Sequence, residues 1–407
     1  MAFTRKTMTR YPLLLGGWSL PYVRSERFLG VVIDHNLSWS PQIKKLRERI
    51  PAASQVFRFM AGTRWGSNCR SMLLLEKAYV EGTLRYCLPV LQRLSTSSNK
   101  TLNAARNNCL RICLGLPKGS SASGTVAEAG CLPLEVIAAQ ETMRTHLRHV
   151  LQGKKHFLHR VHQTHSNSSF GQAVQLLPLP TINQPQKLLP LAFPPWTLSP
   201  LKVKKSVPGV NAKSRMPQAA LLQATLAYLI EEYTQHTHIF TDGSTTKETS
   251  SCGLYVPSTG HALSYRLQRR TSSTTAELHG IKEAVSYILR RTAGRWVIFT
   301  DSQASLQILA NLLKKTNHQP VSLDIGYIHH LAIAAGHCIT FQWVPAHCGI
   351  LANEKADEAA RKGHQHQRYI RSFFTKSDAS QMAKSFAYEE MYRLWSLPTH
   401  QYQFLHS

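Results

Sequence analysis

The chain has 407 residues, more than one compact hydrophobic core usually organises, so its length predicts two or three domains. The composition is that of a globular protein, with 43% hydrophobic residues. No apolar run approaches the length that spans a bilayer, which argues against a membrane protein. The formal charge of +26 at pH 7 favours polyanionic partners, with nucleic acid first and acidic membrane surfaces second.

The eight cysteines include no Cys-x-x-Cys pair, so the sequence indicates neither a zinc knuckle nor a redox dithiol. Cys109 and Cys113 stand one helical turn apart and are expected to be small buried hydrophobes. The apolar run at 13–15 is too short for the core of a signal peptide. We therefore expect an intracellular protein, nuclear or cytoplasmic, that has no obligate protein partner.

Residues 1–165 are predicted to form a mainly helical region. A short strand is expected at 28–33, ended by the turn signal Asp34-His35-Asn36. Apolar residues then recur at helical spacing over 43–60, and further helices are expected at 69–84, 100–114 and 133–151.

Residues 166–236 are predicted to form a basic, proline-rich linker. No carboxylate stands between Glu141 and Glu231, and short Leu-Pro phrases recur from 178 to 217 without helical or strand period. Proline at this density removes backbone donors and favours extended chain. Two interpretations remain open, one in which the linker lies along a phosphate backbone and one in which it is a solvated tether.

Residues 237–364 alternate between strand and helix patterns and predict an α/β fold, a mixed sheet with helical layers. The expected strands are 238–241, 253–256, 262–267, 296–300 and 338–344, and the expected helices are 275–291, 302–313, 322–335 and 353–363. Residues 365–407 are predicted to form a C-terminal tail with one amphipathic helix at 379–394.

Acidic residues stand at the ends of two predicted strands. Asp242 follows the first strand and Asp301 follows the fourth, so parallel neighbours would bring both carboxylates to one sheet edge. Glu277 lies on the apolar stripe of its helix, where a glutamate is costly to bury unless it binds a metal or a partner. The rest of that stripe is Ile281, Ala284, Val285 and Ile288.

Asp357 is the fourth acid of this set, because it shares the inner face of the last helix with Asn353 and Ala356. Converging carboxylates repel one another, and hard oxygen ligands select Mg²⁺ or Mn²⁺ to relieve that repulsion. Two such ions about 4 Å apart can activate a water and stabilise the leaving oxygen of a phosphodiester. The alternative is that the four acids serve separately as turn residues, helix caps and ion-pair partners.

Five short motifs, taken in order, resemble the type I ribonuclease H domain, most closely that of non-LTR retrotransposons. They are Thr241-Asp242-Gly243-Ser244, Thr275-Ala276-Glu277-Leu278, Thr300-Asp301-Ser302, Pro345-Ala346-His347-Cys348-Gly349-Ile350 and Asn353-Glu354-Lys355-Ala356-Asp357. The resemblance implies a five-stranded mixed sheet with helices on both faces, and hydrolysis of the RNA strand of an RNA–DNA hybrid to 5′-phosphate and 3′-hydroxyl ends.

The same resemblance implies roles for the site residues. Two Mg²⁺ ions, with Mn²⁺ as the alternative, would be held by Asp242, Glu277, Asp301 and Asp357. His347 would assist proton transfer or the release of product and metal. The nucleic acid strands would be contacted by Gly243, Ser244, Thr275 and Asn353.

Phrases at 27–34, 37–39, 102–116 and 128–134 resemble the region that follows the polymerase palm in non-LTR reverse transcriptases. No two aspartates are adjacent, so the Asp-Asp metal motif of the palm has no counterpart in this sequence. We therefore predict the thumb, connection and ribonuclease H portion of a retrotransposon reverse transcriptase. The alternatives are a catalytically silent nucleic-acid-binding remnant, or a cellular ribonuclease H with an unrelated N-terminal extension.

Overall fold

The structure is a computed structural model that describes residues 13–62, 66–91, 94–151, 168–179, 195–210, 217–314 and 319–396. The chain divides into two compact units. Unit 1 comprises residues 1–149, 154–182 and 382–407, and unit 2 comprises residues 150–153 and 183–381. None of the helices in the described ranges is both long enough and apolar enough to cross a bilayer.

Unit 1 is mainly helical, as the apolar spacing predicts. Two hairpins come first, formed by β1 (Leu13–Leu15) with β2 (Trp18–Leu20) and by β3 (Ser25–Phe28) with β4 (Val31–Asp34). The helices are α1 (Ser40–Met60), α2 (Cys69–Glu76), a π-helical turn (Lys77–Glu81), α3 (Gly82–Cys87), α4 (Thr96–Leu114), α5 (Ala122–Glu128), α6 (Leu134–Leu151) and α7 (Ser169–Gln175). Cys109 and Cys113 are buried in the helical core, as predicted.

The predicted single strand over 28–33 is a hairpin instead. Leu29 and Gly30 have φ values of 47° and 86°, so the chain turns between Phe28 and Val31. Glycine adopts this left-handed conformation without steric cost. The apolar run therefore spans a turn and both of its flanking strands.

Unit 2 is an α/β domain built on one sheet. Its elements in chain order are β5 (Lys202–Lys204), α8 (Gln218–Tyr233), β6 (Thr237–Thr245), β7 (Ser250–Val256), β8 (His261–Leu267), α9 (Ser273–Leu289), β9 (Arg295–Thr300), α10 (Gln303–Ala310), α11 (Pro320–Ala334), β10 (Cys338–Trp343), α12 (Leu351–Gly363), β11 (Tyr369–Ile370) and α13 (Lys376–Trp395), which continues into unit 1. The strand order is β11-β8-β7-β6-β9-β10-β5, with antiparallel pairing among β6, β7 and β8 and parallel pairing elsewhere. This confirms the predicted mixed sheet, to which β5 and β11 add two edge strands.

The sheet is covered by helices on both faces because successive side chains of a strand point to opposite sides. Ile239 and Ile298 pack with α9 and α11 on one side. Phe240 and Phe299 pack on the other side with residues of α8 and α12. The predicted helical layers on both faces are confirmed.

The segment predicted as a linker contributes to this sheet. Val203 in β5 pairs with Phe341 in β10, and α8 packs its buried residues into the core beside β9. The prolines of this segment flank β5 and α8 and do not occur inside them. A three-residue strand is too short to show a strand period in the sequence. Residues 166–167, 180–194 and 211–216 of the predicted linker lie outside the described residues.

Leu229→Ala tests whether α8 belongs to the core of unit 2. Leu229 is 4% exposed, so truncating it should lower the free energy of unfolding by about 2–5 kcal/mol. Leu226 is 39% exposed on the same helix, and Leu226→Ala is the matched control that should cost far less. Urea unfolding of both variants measures the difference, and equal losses would place α8 outside the core.

Candidate active site

Asp242 and Asp301 occupy equivalent positions on neighbouring parallel strands. The parallel pairing of β6 with β9 ends at Phe240 and Phe299, and each acid lies two residues beyond that last pair. Asp301 directly follows β9, as predicted, whereas Asp242 lies inside β6, which continues to Thr245 in antiparallel pairing with β7. The two carboxylates therefore share the carboxyl edge of the sheet.

Glu277 is brought to this edge by close packing of α9 on β6. A Cβ atom at Gly243 would lie only 2.3 Å from the backbone N of Glu277, so only glycine lets the helix approach the strand this closely. Glu277 is 6% exposed, and the apolar residues that share its stripe are fully buried. The helix begins after Ser272, whose hydroxyl accepts a hydrogen bond from the Thr275 N–H.

The three acids converge on one pocket of about 250 Å³. One oxygen from each of Asp242, Glu277 and Asp301 lies within 4.8 Å of the other two. The pocket is also lined by His347, Asn353 and Asp357. All five residues that were predicted to be catalytic thus border the same cavity.

Asp242 and Glu277 bind their protons more tightly than ordinary carboxylic acids do. Burial and the charges of Asp301 and Asp357 raise the pKa of Asp242 to about 7. Burial and the neighbouring Asp242 raise the pKa of Glu277 well above its usual range. The Oε2 atom of Glu277 is buried and has no hydrogen-bond partner among the described residues. These residues fit a divalent cation, which would supply the missing partner and offset the repulsion.

Asp357 reaches the pocket from α12, where it is paired with a cation of the same helix. Its Oδ1 accepts a hydrogen bond of 3.0 Å from Nε of Arg361, and its Oδ2 contacts Nη2 of the same guanidinium. The Arg361 side chain is 66% exposed, so water screens this ion pair. Three of the four predicted ligands are therefore clustered, and the fourth is beside them in an ion pair.

His347 lies on the loop between β10 and α12, where it is exposed and has a left-handed φ of 49°. Two contacts hold this loop. The Gln218 Nε2 atom of α8 donates to the His347 carbonyl at 2.8 Å, and the Cys348 thiol donates to the Pro345 carbonyl at 3.2 Å. The loop thus presents the imidazole at the rim of the acidic pocket.

The residues predicted to contact nucleic acid fall into different environments. Gly243 and Asn353 line the pocket, and the Oδ1 atom of Asn353 is buried with no hydrogen-bond partner among the described residues. Ser244 lies next to the pocket residues on β6, and its hydroxyl is 3.0 Å from Nε2 of His364. Asn353 is thus the member of this group with an acceptor left for a ligand.

Thr275 is placed differently from the other predicted contacts. Its side chain is fully buried, and its hydroxyl donates to Oδ1 of Asp378 at 3.0 Å. In this arrangement the hydroxyl is hydrogen-bonded within the protein and does not contact nucleic acid. Asp378 is not among the predicted site residues, although its spacing from Thr375 matches a helix capping box.

Trp343 is a second residue near the site that the sequence analysis missed. Its indole Nε1 donates to the main-chain carbonyl of Asp301 at 3.1 Å, which fixes the backbone at the end of β9. A tryptophan at the end of an apolar strand resembles any other core residue, so no local pattern indicates this contact.

The raised pKa of Asp242 predicts how the site affects stability. The folded state keeps a proton that the unfolded state releases, so this group's contribution is present below about pH 4 and is lost as pH rises to about 7. In EDTA, the stability of Asp242→Asn relative to wild type should therefore increase between pH 5 and pH 8. Thermal melts of both proteins measure this gap. Burial lowers the pKa of His279 to about 3 and that of His329 to about 4, and the contribution of these histidines to stability is the same in both proteins and cancels in the difference. A gap that is constant with pH would contradict the proposed electrostatics.

Comparison with known proteins assigns the domain that contains the pocket. Residues 234–365 match the family model RNase H. The chain is 25% identical over 134 residues to the Retrovirus-related Pol polyprotein from type-1 retrotransposable element R1 4 of Nasonia vitripennis, covering 33% of this chain and 34% of that protein. It is 26% identical over 161 residues to mouse (Mus musculus) Ribonuclease H1, covering 36% and 55%, and 30% identical over 114 residues to human (Homo sapiens) Ribonuclease H1, covering 26% and 40%. The chain thus spans between about a third and just over half of the length of these relatives.

Proposed function

Since residues 234–365 form an RNase H domain, we propose that this chain hydrolyses the RNA strand of RNA–DNA hybrids with the aid of divalent metal ions. The observation that carries the proposal is the convergence of Asp242, Glu277 and Asp301, whose carboxylate oxygens lie within 4.8 Å of one another. Three acids at this separation are costly in a partly buried pocket unless a cation binds them.

Asp242, Glu277 and Asp301 would hold the metal, and Asp357 would join them on release from Arg361. Oxygen ligands favour Mg²⁺, with Mn²⁺ as the alternative, and the family resemblance implies two ions. When bound, such ions activate a water molecule and stabilise the charge that develops on a phosphodiester.

The other residues of the pocket would handle the substrate and its protons. His347 stands exposed at the rim of the pocket, where its imidazole would transfer protons or assist the release of product and metal. The unpartnered Oδ1 of Asn353 can accept a hydrogen bond from a ribose 2′-hydroxyl, the group that distinguishes RNA from DNA. Gly243 lines the pocket, where its main chain would contact a nucleic acid strand.

We also propose that the chain is the thumb, connection and RNase H portion of a retrotransposon reverse transcriptase, or a remnant of one. The similarity to a retrotransposon Pol polyprotein and the charge of +26 support this context. A catalytically silent remnant and a cellular ribonuclease H remain the alternatives.

The test uses a hybrid that carries a different label on each strand. Purified protein with Mg²⁺ should cut the RNA strand and leave the DNA strand intact. A folded protein that binds the hybrid and cuts neither strand would be the silent remnant. Cleavage of the DNA strand would contradict the proposed function.

A further inference from the structure

A short segment that follows the matched RNase H region runs beside the connection between β8 and α9. We call residues 369–378 the strap. Its strand β11 pairs with the end of β8, and the N–H of Gln268 donates to the Ile370 carbonyl at 3.0 Å. The N–H of Arg269 donates to the buried Ser372 hydroxyl at 3.2 Å. The strap is therefore bonded along the chain that leads into the helix of Glu277.

The strap ends in a buried carboxylate between the starts of two helices. Asp378 is 3% exposed, and its Oδ1 accepts from the Ser272 N–H at 2.6 Å and from the Thr275 hydroxyl at 3.0 Å. Its Oδ2 accepts from the Thr375 N–H at 2.7 Å, at the start of α13. A negative charge is stabilised at helix N-termini, where backbone N–H groups lack partners. One aspartate thus ties the first turn of α9 to the strap.

The metal-site acid directly follows the first turn of α9. Glu277 stands two residues after Thr275, and Gly243 fixes the distance between this turn and the strand of Asp242. Packing against Gly243 limits how closely α9 can approach β6. The hydrogen bonds from Ser272 and Thr275 to Asp378 restrain the same turn from rotating or shifting along the strand. The position of the Glu277 carboxylate therefore depends on both contacts.

We propose that Asp378 is a positioning residue that holds Glu277 in the geometry required for metal binding, an inference that rests on the proposed function. The functional RNase H unit of this chain would then extend beyond the matched region, at least to residue 378. This role of Asp378 also explains why Thr275 is buried: its hydroxyl donates to Asp378 at the start of α9 and does not reach the pocket surface.

The test compares Asp378→Ala and Thr275→Val with wild type in the full chain. Mutation of a residue that supports a metal ligand typically lowers metal affinity or activity by about 10- to 100-fold. We therefore expect the dissociation constant for Mn²⁺ to rise about tenfold or more in Asp378→Ala. Thr275→Val should give a smaller rise, and Thr275→Ser should restore the wild-type value. Calorimetric titration measures Mn²⁺ binding without substrate, and kcat should fall in parallel while KM for the hybrid stays near the wild-type value.

Thr375→Val is the comparison variant, because it removes the hydroxyl that caps α13, together with its 3.4 Å contact to the Thr275 hydroxyl, and leaves the Asp378 carboxylate and its bonds to α9 in place. It should bind Mn²⁺ as wild type does, even if its melting temperature falls. Wild-type Mn²⁺ affinity in both Asp378→Ala and Thr275→Val would overturn the positioning role. Loss of Mn²⁺ binding in Asp378→Ala without any hybrid cleavage by wild type would retain the positioning role and reject the proposed activity. Should Asp378→Ala fail to fold, the isosteric Thr275→Val decides alone.

Discussion

Asp242→Asn should abolish cleavage of the RNA strand, with a loss of about 10³-fold or more in kcat. Asp242 is the central acid of the cluster, since its pKa responds to both Asp301 and Asp357. The amide keeps the volume of the side chain but removes the negative charge that a divalent cation needs. Metal ions supply several kcal/mol of transition-state stabilisation, and each 1.36 kcal/mol is about tenfold in rate. Rates on labelled hybrid at saturating Mg²⁺ measure the effect.

Asp324→Asn makes the same chemical change on α11, outside the pocket, and serves as the matched control. It should keep near-wild-type turnover. Circular dichroism should show that Asp242→Asn is folded, and the variant should still bind hybrid, because it removes a charge that repels phosphate. Ordinary turnover by folded Asp242→Asn would exclude this acid as a metal ligand.

Duplex DNA should be cut at least about 10³-fold more slowly than the RNA strand of a hybrid of the same sequence. A site that hydrogen-bonds a substrate hydroxyl strongly rejects an analogue that lacks it, because its own buried polar group is left unpaired. Asn353 provides such a group, since its Oδ1 is buried and unpartnered among the described residues. Initial rates on matched duplexes give the ratio.

Duplex RNA separates recognition of one ribose strand from recognition of the hybrid as a whole. It offers 2′-hydroxyls on both strands but lacks the DNA partner strand, so we expect cleavage about tenfold slower or more. Asn353→Ala should reduce the difference in cleavage rate between hybrid and duplex DNA. Gln365→Ala, which lies outside the pocket, is the control and should leave that difference unchanged. Equal rates on hybrid and duplex RNA would indicate a nuclease of a different class.

The acids of the pocket could be predicted because their signals are local. Asp242 and Asp301 each follow an apolar strand core, and neighbouring parallel strands bring such positions to one edge. Glu277 interrupts an apolar stripe at helical spacing, which marks a buried charge. These features depend only on period and order along the chain, so a single sequence contains them.

The rest of the site depends on partners that are distant in the sequence. Asp378 directly precedes the predicted helix at 379–394, and no local pattern relates it to Ser272, 106 residues earlier. Likewise, β5 becomes a strand only because β10 offers it a free edge. Short elements gain their stability from such long-range pairing, which no local pattern encodes.

The chemistry of the cleaved RNA ends distinguishes metal-dependent hydrolysis from other routes of RNA cleavage. The purified 407-residue chain is incubated with hybrid in Mg²⁺ or in EDTA, and the RNA fragments are analysed by mass. Metal-dependent hydrolysis at the Asp242, Glu277 and Asp301 cluster predicts fragments with 5′-phosphate and 3′-hydroxyl ends in Mg²⁺ and no fragments in EDTA. Fragments ending in 2′,3′-cyclic phosphate, or cleavage that persists in EDTA, would contradict it.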